Sequence, residues 1–312
     1  MLTYISRRIL VGIPVAFGVT LIIFMLMHVS GDPVRLMYGP NVPRETIEAK
    51  RKELGLDKPI YEQYFIWISK LLHGDLGRSI HVQDRVSNLI RARLGATLEL
   101  TMVALLLTVF FSVPIGVVSA VKPYSWIDNV GRVFALFWVS MPYFWLGIIL
   151  MLLFGVKLGL LPISGRGGPI WSLEGIRHLI LPALTLGLPP MALFTRLVRS
   201  SMLEVTNEEY IRTARSKGLS EKTVIYRHAL RNALIPVVTL LALRLPWLVG
   251  GAVITETVFS WPGMGRLLVD AVTQRDYPVV QGVVLILAVL VLLSNLAADV
   301  MYAYLDPRIR LD

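Results

Sequence analysis

Long uncharged, apolar runs constrain this chain more than any motif does. Five of them, Ile9–Gly31, Leu100–Val121, Val133–Val156, His178–Thr195 and Tyr277–Ala298, come close to or exceed the length a helix needs to cross a hydrocarbon core, about 20 residues. A sixth, Asn232–Thr255, is long enough but carries one charge, Arg244. A bilayer interior offers no water to open peptide groups, so such runs must close their hydrogen bonds internally as helices. The expectation is an all-α polytopic membrane protein with six transmembrane helices. Composition agrees, because 55% of the 312 residues are hydrophobic and 17% charged, against about 25% charged in soluble domains. The first run follows Arg7 and Arg8, as a signal peptide would. Its apolar core is too long for one and no small-x-small site follows, so it reads as a retained helix.

The formal charge of +10 raises the question of nucleic acid. In so apolar a chain, basic loops facing anionic lipid explain it better, and no nucleic-acid partner is expected. Lys and Arg near helix ends mark the inner side. Arg7 and Arg8 place the N-terminus inside, Lys122 and Arg132 the second loop, and eight basic residues from Arg196 to Arg231 the fourth. An even number of spans then puts the tail DPRIRLD inside too.

Residues 1–95 therefore comprise one span and an outer segment, and residues 96–312 a five-helix core. In the outer segment, RETIEAKRKELGL (44–56) and YEQYFIWISKLLHG (61–74) read as two amphipathic helices, a small cap. His73 and His81 flank HGDLGRSIH, but two His without a third ligand are weak grounds for a metal, and no metal is expected. Pro114, Pro142, Pro182, Pro189, Pro190 and Pro246 fall within spans and mark kinks.

The chemistry of an enzyme is not spelled out. The chain has no Cys, hence no disulfide or thiolate site. GLSEKT (218–223) resembles part of a phosphate loop but lacks its Gly–Lys pair, and GRGGP (165–169) reads as an outer turn. No motif sets a nucleophile beside a base. An intramembrane hydrolase and a passive channel nevertheless remain as competing classes. A channel would not need the loop described next, and an enzyme would depend on a single Ser, His or Asp.

That loop is RTARSKGLSEKTVIYRHALRNALIP, Arg212–Pro236. Thr206 and Glu209 have capping-box spacing, so a helix is expected from Glu208 to Lys217, stopped by Gly218. Ser220 is placed to cap a second helix running toward Ala233. Two capped helices at a glycine elbow suit docking better than a merely solvated loop does.

The segment resembles the EAA loop of ABC importer permease subunits, whose pattern is E-A-A, three residues, G, and later I-x-L-P. Here it reads Arg212-Thr213-Ala214, Gly218 and Leu234-Ile235-Pro236, with Arg212 and Thr213 replacing the usual Glu and first Ala. The variant YIRTARSKGLSE is similar to the dipeptide/oligopeptide/nickel branch, B-type subunit. So are RRIL, GDPV, LGLDKPIYEQY, HGDLGRSI, HALRNALIPVVT, ETVFSWPGMGRLLVDAV, RDYPVV and YLDPRIR, in order along nearly the whole chain.

The resemblance implies a type I importer permease in a bacterial inner membrane, paired with a homologous second permease. Its further partners would be two cytoplasmic ABC ATPases, which bind the ATP and Mg that this chain does not, and an extracytoplasmic substrate-binding protein. It implies no catalytic residue here. Arg212, Thr213, Ala214, Arg215, Lys217, Gly218 and Leu219 would meet the ATPase, with Ala214, Gly218 and Leu219 packing closely and the bases matching charge. The turn Trp261, Pro262, Gly263, Gly265 would meet the binding protein. Arg244, a charge inside a span, would line the pathway together with Glu256 at its outer end, or else form a structural pair with an acid on the partner permease or with Asp299. Glu99 and Asp299, near span ends, would reach water. Cargo would be dipeptides or oligopeptides, with glutathione, nickel chelates and oligosaccharides as alternatives.

Overall fold

The structure, a computed structural model, describes residues 2–29 and 43–305, with backbone alone at 2–9, 11, 26–29, 50, 53–54, 127, 134, 245–249 and 300–305. The motif GDPV and the tail DPRIRLD lie outside the described residues, as do the side chains of Arg7, Arg8 and Pro246. The described chain forms helices α1 (Leu2–Val29), α2 (Arg44–Leu54), α3 (Ile60–Leu72), α4 (Val86–Val121), α5 (Trp126–Val139), α6 (Tyr143–Leu150), α7 (Leu173–Thr206), α8 (Glu209–Ser216), α9 (Leu230–Val258), α10 (Met264–Thr273) and α11 (Tyr277–Leu305). Two compact units result, one of residues 1–95 and 263–293, the other of 96–262 and 294–312.

In the first unit the two expected outer helices form as α2 and α3. The Arg44–Leu54 helix is closed by Gly55 at φ 72°, with Leu56 N–H donating to Arg51 O at 2.8 Å and Gly55 N–H to Lys52 O at 3.1 Å. Tyr64 of α3 is buried against α1. Its hydroxyl pairs with Thr20 Oγ1 at 2.9 Å, and its ring meets Phe17 and Phe24 edge-on with centroids 5.9 and 5.3 Å apart. A separate core joins Val86 and Ile90 to Met264, Ala271, Val279 and Val283. Around it, Asp276 accepts from Ser79 Oγ at 2.5 Å and from the Ile80 N–H at 3.2 Å. His73 and His81 each spend a ring nitrogen on a carbonyl, Ser69 O at 2.7 Å and Gln274 O at 2.8 Å.

The second unit is a helical bundle whose outside is apolar. Phe110, Val133, Leu136, Trp145 and Leu152 are all exposed, the reverse of a soluble protein and the pattern expected of a lipid-facing surface. Two buried threonines are satisfied within their own helix. Thr185 and Thr195 donate to the carbonyls of Leu181 and Met191, each at 2.8 Å. Among the described residues, Val86–Val121, Leu173–Thr206 and Tyr277–Asp299 are each long and apolar enough to cross a membrane. At 36 residues α4 extends to about 54 Å, far more than the roughly 30 Å hydrocarbon core.

The run Val133–Val156, expected as a single helix, is broken. Pro142 is extended at φ −62°, ψ 139°, and the segments Asp128–Val139 and Tyr143–Lys157 meet at 109°. A proline disfavours helix at the residue before it, which ends α5. In α7, Pro189 and Pro190 each remove an N–H donor. Just ahead of them the Gly187 carbonyl accepts from Thr108 Oγ1 at 3.1 Å.

Candidate functional site

α7 continues well past its apolar run to Thr206, and the chain then turns into α8. This overturns the expected capping box. An N-cap needs extended backbone, but Thr206 is still helical, and its hydroxyl donates to Leu203 O at 3.1 Å. Glu208 takes the N-cap position with no side-chain cap. The elbow forms as expected. Gly218 has φ 76°, Leu219 N–H donates to Ala214 O at 3.4 Å, and a Cβ on Gly218 would meet nothing within 4 Å. Its requirement is conformational, not steric. Ser220 Oγ accepts from the Thr223 N–H at 3.4 Å, starting the turn that leads through π-helical Val224–Ala229 into α9.

Three contacts make this projection rigid. Ile211 and Ala214 bury one face of α8 among Val198, Met202, Val224 and Ala229. Arg215 Nε donates to Glu221 Oε1 at 2.7 Å across the elbow, and Asn232 Nδ2 donates to Tyr210 Oη at 2.7 Å. Of the residues expected to meet a partner, Arg212, Thr213, Lys217, Gly218 and Leu219 are exposed. Ala214 is not. It sits three residues after Ile211, hence on the same inward face, and packs within its own chain. Arg215 is exposed, but its charge is already engaged by Glu221.

A second site in the same unit is built around Glu256, which is completely buried. Its carboxylate accepts from Thr97 Oγ1 at 2.6 Å, and its carbonyl accepts from the Trp261 N–H at 2.8 Å. Trp261 is also fully buried, its Nε1 donating to Ala96 O at 2.8 Å. The turn expected to meet a binding protein offers little open surface of its own. Trp261, Gly263 and Gly265 are buried and Pro262 is half-buried, because the indole anchors the turn inward. Glu99, expected to reach water, instead accepts from Arg166 at 2.6 Å. The GRGGP turn that carries Arg166 is itself fastened by Gly165 N–H to Phe259 O at 2.9 Å.

Arg244 lines a cavity of about 300 Å³ together with Leu105 and Thr108 of α4, Met141, Tyr143 of α6, and Leu186 and Phe194 of α7. Glu256 does not line it, so the two residues expected along one pathway occupy different settings. Sequence reading passed over Thr97, Tyr143 and Asp128, and took Arg199 only as a marker of orientation. Arg199 grips Asp128, which is completely buried, through two hydrogen bonds of 2.6 and 2.7 Å. The spacing of Ser125 and Asp128 carried a signal, since Ser125 caps α5 by accepting from the Asp128 N–H at 3.3 Å.

Comparison with known proteins follows the same lines. The chain is 44% identical over 334 residues to the di/tripeptide transport system permease protein DppB of Pseudomonas aeruginosa, covering 99% of each chain. It is 44% identical over 315 residues to the oligopeptide transport system permease protein AppB of Bacillus subtilis, and 42% over 311 residues to the glutathione transport system permease protein GsiC of Escherichia coli, again covering 99% of both chains in each case. Its fold is similar to that in inward facing conformations of the MetNI methionine ABC transporter, with a TM-score of 0.57 at 20% identity over 70% of this chain and 96% of that one. Residues 112–311 match the model of the binding-protein-dependent transport system inner membrane component, and residues 1–101 match its N-terminal companion. With lipid-facing helices around a self-satisfied interior and matches that together run nearly end to end, this chain belongs to the family of binding-protein-dependent transport system inner membrane components.

Proposed function

We propose that the chain is one of two homologous permease subunits of an ATP-driven importer and conducts dipeptides or oligopeptides inward. The relatives named for di/tripeptide and oligopeptide transport support that cargo. The relative named for glutathione transport favours a modified tripeptide as the second reading; nickel chelates and oligosaccharides complete the alternatives. α1, α4, the α5–α6 pair, α7, α9 and α11 make six crossings with both ends inside, residues 1–95 adding the outer helical cap to the 96–312 core. ATP and Mg belong to two cytoplasmic ATPase subunits, and an extracytoplasmic binding protein delivers the cargo.

One observation carries the coupling role. α8 is held stiffly by its buried face and by the Arg215–Glu221 and Tyr210–Asn232 contacts, while Arg212 along the helix and Lys217, Gly218 and Leu219 at its end are left exposed. A rigid element with an exposed tip transmits a push; a flexible loop absorbs it. The test replaces Leu219 with Asp, and separately Gly218 with Trp, in the assembled complex. Loss of ATPase co-purification and a fall of about tenfold or more in ATP-dependent uptake are expected, roughly 1.4 kcal/mol of lost interface or more. Unchanged co-purification and uptake in both variants would sink the coupling role.

A further inference from the structure

We propose that the cavity beside Arg244 is a pocket for the free carboxylate of a short peptide with an apolar C-terminal side chain, so that the permease itself selects cargo. The inference rests on the peptide reading above and adds a site to it. The cavity, about 300 Å³, lies at the lower end of the range for ligand pockets. Its wall is almost wholly apolar, with Leu105, Met141, Leu186, Leu193 and Phe194. Its polar groups have one sense. Thr108 already donates its proton to the carbonyls of Ala104 and Gly187, at 2.8 and 3.1 Å. Pro189 and Pro190 have no N–H. The other side chains of the lining that carry donors are Arg244 and Tyr143, which lie within electrostatic reach of each other and have contacts of their own within the chain.

A lining with one cation and no acidic side chain is complementary to a monoanion and hostile to an ammonium group. That sorts the candidates by size. In a free amino acid the ammonium sits on the same carbon as the carboxylate and would be buried without a partner, which is costly. In a peptide the ammonium lies at least one residue away, where it can stay outside the pocket. The guanidinium has five donors in a planar fork, so it grips a carboxylate with two bonds alongside its contacts within the chain. The apolar wall takes the C-terminal side chain. An arginine inside a membrane helix is expensive and is retained for a use; the pocket supplies one.

The test measures binding of the dipeptide Ala-Phe and of its C-terminal amide by calorimetry to the purified permease–ATPase complex without binding protein. Wild type is expected to bind the free acid about tenfold or more tightly than the amide. Arg244→Gln removes that preference, and Arg244→Lys, which keeps charge but loses the fork, keeps part of it. Absence of binding by wild type, or an acid-over-amide preference in Arg244→Gln equal to that of wild type, overturns the pocket. Uptake by the full complex in liposomes separates the two readings. If wild type takes up Ala-Phe yet does not bind it without the binding protein, the pocket fails and the peptide reading stands. If no peptide is taken up while another cargo is, both fall.

Discussion

Arg199 and Asp128 form a forked ion pair in which the carboxylate has no exposure and the guanidinium little, Nε and Nη2 donating at 2.6 and 2.7 Å. The Tyr124 N–H adds a third bond to Asp128 at 3.0 Å. The pair ties the start of α5 to the end of α7, the helix that runs on toward the Gly218 elbow. Removing one partner strands the other, which for a buried pair costs about 3–5 kcal/mol. Asp128→Ala and Arg199→Ala are each expected to destabilise strongly, Asp128→Ala less because the Arg199 it strands is 20% exposed, whereas Arg199→Ala strands a carboxylate with no exposure. The double variant should cost less than the sum. Thermal unfolding of the solubilised complex checks this, and additive effects would refute the pairing.

The two caps around α8 should behave differently. Ser220 accepts from the Thr223 N–H, so Ser220→Ala should cost about 1 kcal/mol and speed hydrogen exchange at Thr223. Thr206 bonds only back into its own helix, so Thr206→Ala should leave α8 protection unchanged. Equal effects from the two substitutions would restore the capping box.

Gly282 of α11 faces Val86 of α4. A Cβ there would lie 2.5 Å from Val86 Cγ1 and no closer than 3.5 Å to anything else. Gly282→Ala is expected to destabilise by about 1–3 kcal/mol, the usual range for overpacking. Val86→Ala removes the clashing methyl, so Gly282→Ala with Val86→Ala should be more stable than Gly282→Ala alone. Melting temperatures of the three variants decide it.

The buried turn at Trp261 should respond to loss of single hydrogen bonds. Thr97→Val keeps the shape but removes the donor to Glu256, at a cost of about 1–3 kcal/mol. Trp261→Phe removes the bond to Ala96 O for about 1 kcal/mol, whereas Trp261→Ala should cost roughly 3–5 kcal/mol through the cavity it leaves. Were Trp261 a surface residue, both of its substitutions would be nearly silent.

Periodicity and composition made the membrane class, the outer helices α2 and α3, the Gly218 elbow and the Ser220 cap readable, because each depends on a few neighbouring residues. Two local expectations failed for a single reason. Thr206 did not become an N-cap and Ala214 packs inside its own chain instead of standing exposed, because both depend on how far α7 extends and which face of α8 turns inward. Trp261 failed similarly. A Gly/Pro-rich turn reads as exposed until a carbonyl from α4, Ala96 O, is found waiting for its indole N–H.

What the sequence determined by itself was that this chain must be a bundle of apolar helices with a basic, elbowed loop on one side. Long unbroken apolar runs, unlike the alternating strands of a closed barrel, satisfy their backbone in hydrocarbon as helices, and glycine enters the left-handed turn at the least cost. Only the tertiary structure decided where the charges went. Arg199 met Asp128, Arg166 met Glu99, Thr97 met Glu256, and Arg244 came to line a cavity. In each pair the partners lie at least 67 residues apart. Burying a charged or polar group is tolerable only with a partner, and which partner is available depends on how the helices pack.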